Sequence, residues 1–374
     1  MSTVSANTIL DATGGNTATI NGTTPTAYNT MGKNRIINGA MEIDQRALGT
    51  TTINSDAAWI YTLDRWNSVG QTSAGVFTVQ QSSTSPAGFT KSFLATVTTS
   101  STPGANALYI IRQVIEGYNC ADLAWGTSDA KTITFSFYVR SSVTGTFAGV
   151  LKNQPENRSY AFTYTINSAD TWEKKSVTIA GDTSGTWLTT NGSGMNVYFS
   201  IGAGSSRVGT PGSWGNTNLY GATGQTNLIE TNGATFYITG VQLEVGSVAT
   251  EFERRPFGTE LQLCQRYFQK IGSNGGRFVS TGSVWSGNSS RTTIPLVTTM
   301  RSQPSATFVT AASTWTLNNG VNAGTCSSLT LDSSTPEVIW INAVTAAGLG
   351  GGTCALWYET ANPGAAVIHF SAEL

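Results

Sequence analysis

The sequence predicts an all-β protein in which antiparallel strands pack as a sandwich. From Asn34 onward, segments of alternating polarity follow one another, and Gly, Asn-Gly, Ser and Pro interrupt them at short intervals. Only 11% of the residues are charged, so the surface must be built mainly from Thr, Ser, Asn and Gly. One short segment alone has helical spacing. With 374 residues, the chain exceeds what one core usually supports, and we expect more than one domain.

Residues 1–33 are low in complexity and consist largely of Thr, Asn, Ala and Gly. Such a segment cannot bury much apolar surface alone. It reads either as a flexible tail or as a docking strand that orders on a partner. We predict that it is an N-terminal attachment segment.

The first β domain is predicted over residues 34–258. Its clearest strand is 132–140, where Ile133, Phe135, Phe137 and Val139 share one face. The pattern returns in three further segments, which are 159–166, 197–201 and 236–245.

A helical connector is predicted over residues 259–272. Thr259 and Gln262 have the spacing of a capping box. Apolar residues then recur at helical spacing, and Gly272 supplies a stop. The residues of this apolar stripe are Leu261, Cys264, Phe268 and Ile271. Residues 273–374 again read as short strands and form a smaller C-terminal β domain, with strands predicted at 290–297, 305–309, 337–341, 355–358 and 366–370.

Several short patches resemble a family of bacteriophage tail and tail-fibre proteins. The stretch Asn34–Arg46 followed by Asp64-Arg65-Trp66 is similar to the opening of that family. The later patches are Gly240–Gly246, Ala249–Arg255, Glu260–Tyr267, Thr299–Pro304 and the terminal Ser371–Leu374. The resemblance implies that residues 34–258 fold as a carbohydrate-binding-module-like jelly roll. It supplies no catalytic set.

The resemblance further implies a virion protein that is assembled in the host cytoplasm. We expect a tail fibre or tail-associated protein that contributes to recognition of host-surface glycans. Its expected partners are copies of itself, most simply in a homotrimer, and other tail or neck proteins through residues 1–33. Host cell-surface polysaccharide is the expected ligand. The alternative is a purely structural neck, baseplate or head-decoration component that never contacts a receptor.

The charge balance argues against two classes of partner. The chain has 20 basic and 21 acidic residues, without the cationic cluster that binding to duplex nucleic acid requires. Membrane insertion is not expected either, because no apolar run approaches the roughly 18 residues of a spanning helix. The first ten residues also lack the basic region and apolar core of a secretory signal.

Enzymatic activity is not expected. His369 is the single histidine, which excludes His-based triads and multi-His zinc sites, and its place in a terminal strand favours a packed or edge residue. No pair of acids stands in a recognisable glycosidase motif. Cys120 and Cys264 read as buried thiols, whereas spacing cannot decide whether Cys326 and Cys354 pair. No cofactor is predicted. A structural Ca²⁺ is common in similar jelly rolls, but the sequence contains no recognisable Ca²⁺-binding loop.

Aromatic residues in Gly-, Ser- and Asn-rich loops are the candidate glycan-binding residues. No strand face demands them there, and stacking combined with hydroxyl hydrogen bonds is how a glycan is held. They are Trp187, Trp214, Tyr220 and Trp285. The alternative is that they clamp loops or lie at a homotypic interface.

Three motifs with polar or charged residues are interpreted as structural rather than as ligand-binding. Asp64-Arg65-Trp66 could form a sugar site, but a Trp within a strand usually packs, so we expect Trp66 in the core. Gln242 and Glu244 alternate with apolar residues and should face solvent, a neighbouring subunit or a loop. The run Glu251–Arg255 is interpreted as an inter-domain or inter-subunit salt-bridge patch.

Overall fold

The computed structural model describes residues 32–54, 58–72, 74–272, 278–346, 348–350, 352, 354–359 and 368–374. The predicted attachment segment therefore lies outside the described residues except for Gly32 and Lys33. The chain divides into two compact units, which we call unit 1 (Met1–Arg255) and unit 2 (Pro256–Leu374). No helix among the described residues has the length and apolar character needed to cross a membrane.

Unit 1 is a sandwich of two antiparallel sheets, as expected for the predicted jelly roll. Its strands are β1 (Thr51–Ile53), β2 (Ile60–Tyr61), β3 (Trp66–Gln71), β4 (Val76–Ser82), β5 (Ser92–Thr99), β6 (Leu108–Glu116), β7 (Ile133–Ser141), β8 (Gly145–Lys152), β9 (Ser159–Ile166), β10 (Glu173–Ile179), β11 (Ser193–Ala203), β12 (Val208–Gly209), β13 (Trp214–Gly215), β14 (Gly221–Ala222) and β15 (Thr235–Val245). One sheet has the order β1-β4-β5-β15-β7-β10, and the other has the order β13-β9-β8-β11-β6-β3-β2. Strands β12 and β14 form a separate parallel pair.

Alternate residues of β7 and β9 build the core of unit 1. Ile133, Phe135 and Phe137 in β7 are fully buried, and Phe162 and Ile166 in β9 are nearly so. The ring centroids of Phe135 and Phe162, which come from opposite sheets, lie 5.6 Å apart. Burial of each such side chain contributes about 1.5–3 kcal/mol. The alternating pattern therefore marks the interior of the sandwich, and the predicted all-β class is confirmed.

Trp66 is among the largest side chains of this core. The indole is fully buried, and its N–H donates to the backbone carbonyl of Asn38 at 3.0 Å. The buried Asp64 carboxylate accepts the backbone and side-chain amides of Gln45 at 2.7 and 2.6 Å. Arg65, at a φ of 70°, donates to a backbone carbonyl of β6. The interpretation of residues 64–66 as a packed strand start is confirmed.

The first and last described segments of unit 1, residues 32–36 and 250–255, are bonded to each other in a contact that we call the terminal tie. Both carboxylate oxygens of Glu253 accept backbone N–H groups, from Gly32 at 2.6 Å and from Asn34 at 2.7 Å. The first described residues are thereby fixed to the last residues of the same unit.

Arg255 completes the terminal tie. Its guanidinium donates to the carbonyl oxygens of Asn34 and Ile36, the latter at 3.1 Å, and lies 3.7 Å from the carboxylate of Glu253. Glu253 and Arg255 thus contact each other and the backbone of residues 32–36 within unit 1. The interpretation of the run 251–255 as an inter-domain or inter-subunit patch stays a prediction.

Gln242 and Glu244 are buried beneath residues 249–253. Gln242 accepts the backbone N–H of Glu253 at 2.7 Å. Glu244 accepts both the backbone N–H and the hydroxyl of Thr250, at 2.9 and 2.6 Å. Of the three alternatives that the sequence left open, a loop is the one observed.

Unit 2 contains helix α1 (Phe257–Gln265), a three-stranded sheet and a closed six-stranded barrel. Its strands are β16 (Phe268–Ile271), β17 (Phe278–Ser286), β18 (Ser289–Pro295), β19 (Ser305–Phe308), β20 (Trp315–Asn318), β21 (Ala323–Ser334), β22 (Val338–Thr345), β23 (Cys354–Glu359) and β24 (Ile368–Ser371). The sheet has the order β16-β24-β19, and the barrel closes as β17-β18-β22-β21-β20-β23. Val284, Trp315, Leu317, Ile339 and Ile341 are among the buried residues of its core.

The predicted connector 259–272 is too long and starts too late. Helix α1 begins after Pro256, and no side chain caps it, so the predicted capping box is not formed. Phe268 and Ile271 belong to β16, where they lie opposite residues of β24. An apolar spacing of three is compatible with a helix and with the two ends of a four-residue strand. Pairing with a segment about 100 residues later decides between them.

The cysteines of the described part are buried thiols. Cys120, Cys264 and Cys326 are not in disulfides, which confirms the prediction for the first two. Burial raises the pKa of Cys120 and of Cys326 to about 12. The side chain of Cys354 lies outside what the structure describes.

Candidate functional site

Trp187 and Trp214 come together with Trp125 in a cluster of three indoles. The ring centroids lie 4.7, 5.3 and 5.4 Å apart, and all three pairs meet edge to face. Each indole N–H donates to a backbone carbonyl, at 2.8–3.2 Å. The indoles therefore bond to the protein through both their rings and their N–H groups.

The three-indole cluster leaves little ring surface open. Trp187 is only 8% exposed, so it clamps its loop onto the core, as the alternative interpretation of the loop aromatics states. Trp214 is half-buried and also contacts Tyr160, with 5.3 Å between the ring centroids. Of this pair of candidates, Trp214 alone keeps part of its ring at the surface.

Tyr220 belongs to a second group, on the face of the seven-stranded sheet that points away from the sandwich core. Strand alternation directs Arg112 of β6, Lys152 of β8 and Tyr198 of β11 to this face. Tyr220 reaches it from the segment that follows β13. We call this group the sheet-face cluster; it consists of Trp59, Arg112, Lys152, Glu156, Tyr198 and Tyr220.

Lys152 is at the centre of the sheet-face cluster. Its ammonium nitrogen lies 3.5 Å from the ring centroid of Tyr220 and 4.4 Å from that of Tyr198. The same nitrogen donates to Oδ1 of Asn218 at 2.7 Å and lies 3.6 Å from Oε1 of Glu156. Oε2 of Glu156 in turn accepts Asn218 at 2.9 Å and the Tyr220 hydroxyl at 3.1 Å. Lys152 and Glu156 thus join the loop between β8 and β9 and the segment after β13 to the sheet.

Arg112 forms the other half of the sheet-face cluster. Its guanidinium carbon lies 3.5 Å from the ring centroid of Trp59, as in a cation–π contact. Its Nε donates to Oδ1 of Asn67 at 3.1 Å. The other side-chain atom of Asn67, Nδ2, is buried and has no hydrogen-bond partner among the described residues.

Burial and charge shift the titration of this group. Burial lowers the pKa of Lys152 from 10.5 to about 7, although the Glu156 carboxylate opposes the change. Burial alone would raise the pKa of Glu156, but the charge of Lys152 and the hydrogen bonds from Asn218 and Tyr220 bring it below its usual value. Burial and the neighbouring Glu156 raise the pKa of Tyr220 to about 12. Tyr220 therefore packs on the buried Lys152, which is paired with the half-buried Glu156.

Trp285 lies in a different environment, on the outside of the unit 2 barrel. Its side chain is 62% exposed. The guanidinium carbon of Arg291 is 5.2 Å from the indole centroid, and Nη2 of Arg291 is 2.9 Å from Oδ1 of Asp332. The half-buried Trp340 and Asn342 alternate outward on β22, and Asn342 lies opposite Arg291. We call this surface the barrel outer face; it consists of Trp285, Arg291, Asp332, Trp340 and Asn342.

Sequence reasoning found Tyr220 and Trp285 but missed the charged residues beside them. Arg291 follows Trp285 by six residues on the paired strand, so strand alternation could have placed it on the same face. Asp332 reaches that face through strand pairing, and the sequence gives no local signal for it. Lys152 ends a strand pattern that otherwise reads as apolar, and an ionisable residue in such a place is a signal of an unusual environment.

The described residues contain no cluster of metal ligands. No group of three or more His, Cys, Asp or Glu side chains comes together in the described ranges, so a structural Ca²⁺ has no acidic cage among them. His369 lies in β24 with its ring 5.0 Å from that of Phe268 and meets it at its edge. The prediction that this histidine packs in a strand is confirmed.

Comparison with known proteins finds no matching family model and no matching curated protein. Solved structures of similar fold include the enzymatically active domain of tailspike protein 4 of bacteriophage CBA120, with 12% identity, a TM-score of 0.29 and a match over 57% of this chain and 21% of that one. They also include the family 11 carbohydrate-binding module of Clostridium thermocellum, in complex with a mixed-linked tetrasaccharide. Its identity is 9%, its TM-score is 0.28, and the match covers 55% of this chain and 99% of that one. A third is the C-terminal family 22 carbohydrate-binding module of Clostridium thermocellum Xyn10B. Its identity is 12%, its TM-score is 0.28, and the match covers 52% of this chain and 99% of that one.

The chain thus matches about a fifth of the tailspike chain and nearly all of each module. With TM-scores below 0.3, these likenesses say nothing about the ligands of this chain. Its function has to be argued from its own residues.

Proposed function

We propose that this chain is a bacteriophage virion protein, a tail fibre or tail-associated component, that contributes to recognition of host-surface glycans through the barrel outer face. The observation that carries the glycan contact is the exposure of Trp285. The indole of Trp285 is 62% exposed and lies beside the Arg291–Asp332 pair. An exposed indole of this kind can stack on the apolar face of a sugar ring.

The neighbours of Trp285 suit a polyhydroxylated ligand. Arg291 donates hydrogen bonds, Asp332 accepts them, and the two already hold each other at 2.9 Å. Oδ1 of Asn342, opposite Arg291 on β22, is buried without a hydrogen-bond partner among the described residues. An aromatic face flanked by fixed donors and acceptors orients hydroxyl groups. Because the contact is small, each copy binds weakly, and repetition on a particle supplies firm adhesion.

The proposal includes self-assembly, in a homotrimer as the simplest arrangement. Among the described residues, eight large hydrophobic side chains are exposed, and five of them belong to the shorter unit 2. Besides Trp285, which is proposed to meet the glycan, they are Phe257, Val297, Val309 and Val321. We expect neighbouring copies to cover these four side chains. Attachment to tail or neck proteins through residues 1–33, a place in the virion after assembly in the host cytoplasm, and the lack of enzymatic activity are parts of the same proposal.

The direct test is binding of the full-length chain to an array of bacterial surface polysaccharides and to purified lipopolysaccharide. We expect Trp285→Ala to weaken binding at least tenfold, which corresponds to about 1.4 kcal/mol. Tyr118→Ala is the matched control, since Tyr118 is a similarly exposed aromatic residue of unit 1, at 61%. Failure of the intact oligomer to bind any of these glycans, or equal binding by the Trp285→Ala variant, would overturn the receptor role.

The second candidate is a purely structural neck, baseplate or head-decoration component. It is favoured by the packing of Trp187 and Tyr220, two of the four candidate residues, each 8% exposed. This alternative predicts that antibodies to unit 2 leave adsorption of the phage unchanged. The receptor role predicts that the same antibodies block adsorption.

A further inference from the structure

We propose that the sheet-face cluster, together with Asn67 and Arg207, is a second ligand site and that it takes a saccharide carrying a carboxylate. The site lies in unit 1 and shares no residue with the barrel outer face. The proposal for this site therefore does not depend on the proposed glycan contact at Trp285.

The charge at this place favours an anion. The cluster contains two basic side chains, Arg112 and Lys152, and Arg207 adds a third, with its guanidinium carbon 5.7 Å from the ring centroid of Tyr220. The acidic side chain of the cluster, Glu156, interacts with Lys152 and Arg112. In a chain with only 11% charged residues and a net charge of −1, such an excess of positive charge is a local feature. A carboxylate on the ligand would balance it.

Hydrogen-bond donors are also in excess. Nδ2 of Asn67 is buried without a partner among the described residues, and a buried donor left unpaired costs about 1–3 kcal/mol. Arg112, held at 3.1 Å by the oxygen of the same amide, brings a guanidinium beside it. An amide N–H and a guanidinium side by side suit the two oxygens of one carboxylate. A ligand oxygen that accepts from Nδ2 of Asn67 removes this cost.

The remaining groups suit a sugar rather than a bare anion. Trp59, Arg207, Glu156 and Asn218 are half-buried, so they form an accessible rim around the buried tyrosines. Trp59 supplies apolar ring surface, and the carboxylate of Glu156 and the amide of Asn218 can bond hydroxyl groups. Sugar hydroxyls and a carboxylate therefore meet complementary partners at the same rim.

The test is isothermal titration of the full-length chain with oligogalacturonate at low salt, with neutral dextran and dextran sulfate as comparison ligands. We expect oligogalacturonate to bind, neutral dextran not to bind, and affinity to fall with added salt. Asn67→Asp replaces the donor by a carboxylate of the same shape and should weaken binding at least tenfold. Because the new carboxylate can pair with Arg112, this variant should keep its melting temperature. Arg207→Gln, at the rim, should weaken binding at least threefold.

Two variants serve as controls. Lys174→Gln removes one exposed positive charge from the other sheet of unit 1 and should bind oligogalacturonate like the wild type. Trp285→Ala should also leave this binding unchanged, which separates the two sites. An anion beside Lys152 favours its charged form, so the affinity should fall as the pH rises above about 7.

Three results would overturn the proposal. The first is no binding of oligogalacturonate by the wild type. The second is binding that Asn67→Asp and Arg207→Gln leave unchanged. The third is that dextran sulfate binds the wild type as tightly as oligogalacturonate does, and that neither Asn67→Asp nor Arg207→Gln changes the binding of either polymer. Such a result would indicate a general attraction of polyanions.

Discussion

At the scale of single residues, Lys152 shows how a charge is kept inside a protein. Its side chain is fully buried, yet its nitrogen lies over two tyrosine rings and reaches both Asn218 and Glu156. The rings and the carboxylate offset part of the cost of leaving water. The pKa of about 7 shows that this compensation is incomplete. Folding therefore costs less when Lys152 is neutral.

This incomplete compensation predicts a pH dependence of stability. In the unfolded chain Lys152 titrates near 10.5 and in the folded chain near 7, so between these values the unfolded state binds more protons. Stability should therefore rise with pH in this window, by at most about 1.4 kcal/mol per pH unit. Lys152→Met should remove this rise in urea denaturation between pH 7 and 9, whereas Lys174→Met should keep it. Equal slopes in Lys152→Met and the wild type would contradict this assignment.

The four candidate aromatics show how far a sequence can identify site residues. All four lie in segments rich in Gly, Ser or Asn, and nothing local distinguishes the exposed Trp285 from the buried Trp187. The difference arises because Trp125, far along the chain, packs against Trp187, whereas Arg291 alone lies over Trp285 among the described contacts. Exposure is set by tertiary neighbours, and a single sequence does not reveal them.

At the scale of elements, the patches that carry the phage resemblance are mostly parts that close the fold. Asn34 accepts the N–H of Leu243 with its side chain, and Glu253 accepts the N–H of Asn34. Trp66 and Asp64 anchor the start of β3. The fold class was predictable because alternation is local in the sequence. The terminal tie was not, because its partners are more than 200 residues apart.

Glu253 offers a direct test of the terminal tie. Its side chain is 14% exposed, and both oxygens accept backbone N–H groups. Glu253→Gln replaces one acceptor by a donor that faces a donor, so we expect a loss of about 1–3 kcal/mol in the free energy of unfolding. Glu251→Gln is the matched control: its side chain is 95% exposed, and its effect should stay within about 0.5 kcal/mol. A similar loss in both variants would show that charge, not the tie, matters.

At the scale of the whole molecule, each unit has its own interior. The core residues of the sandwich all precede residue 256, and the buried apolar residues of unit 2 all follow residue 263. The terminal tie joins the first and last described segments of unit 1. A unit that has its own core and joins these segments within itself meets the physical requirements for folding alone.

We therefore expect scanning calorimetry of the full-length chain to show two transitions, and a fragment of residues 32–255 to reproduce one of them. Trp66→Ala, at a fully buried position of the sandwich, should lower that transition only, since removal of a buried tryptophan costs about 3–5 kcal/mol. Trp315→Ala, at a position of the barrel core that is 1% exposed, should lower the other transition only. Because the two substitutions remove the same side chain from different cores, they control for each other. A single transition that both variants shift equally would mean that the two units unfold as one cooperative body, against the division drawn from their cores.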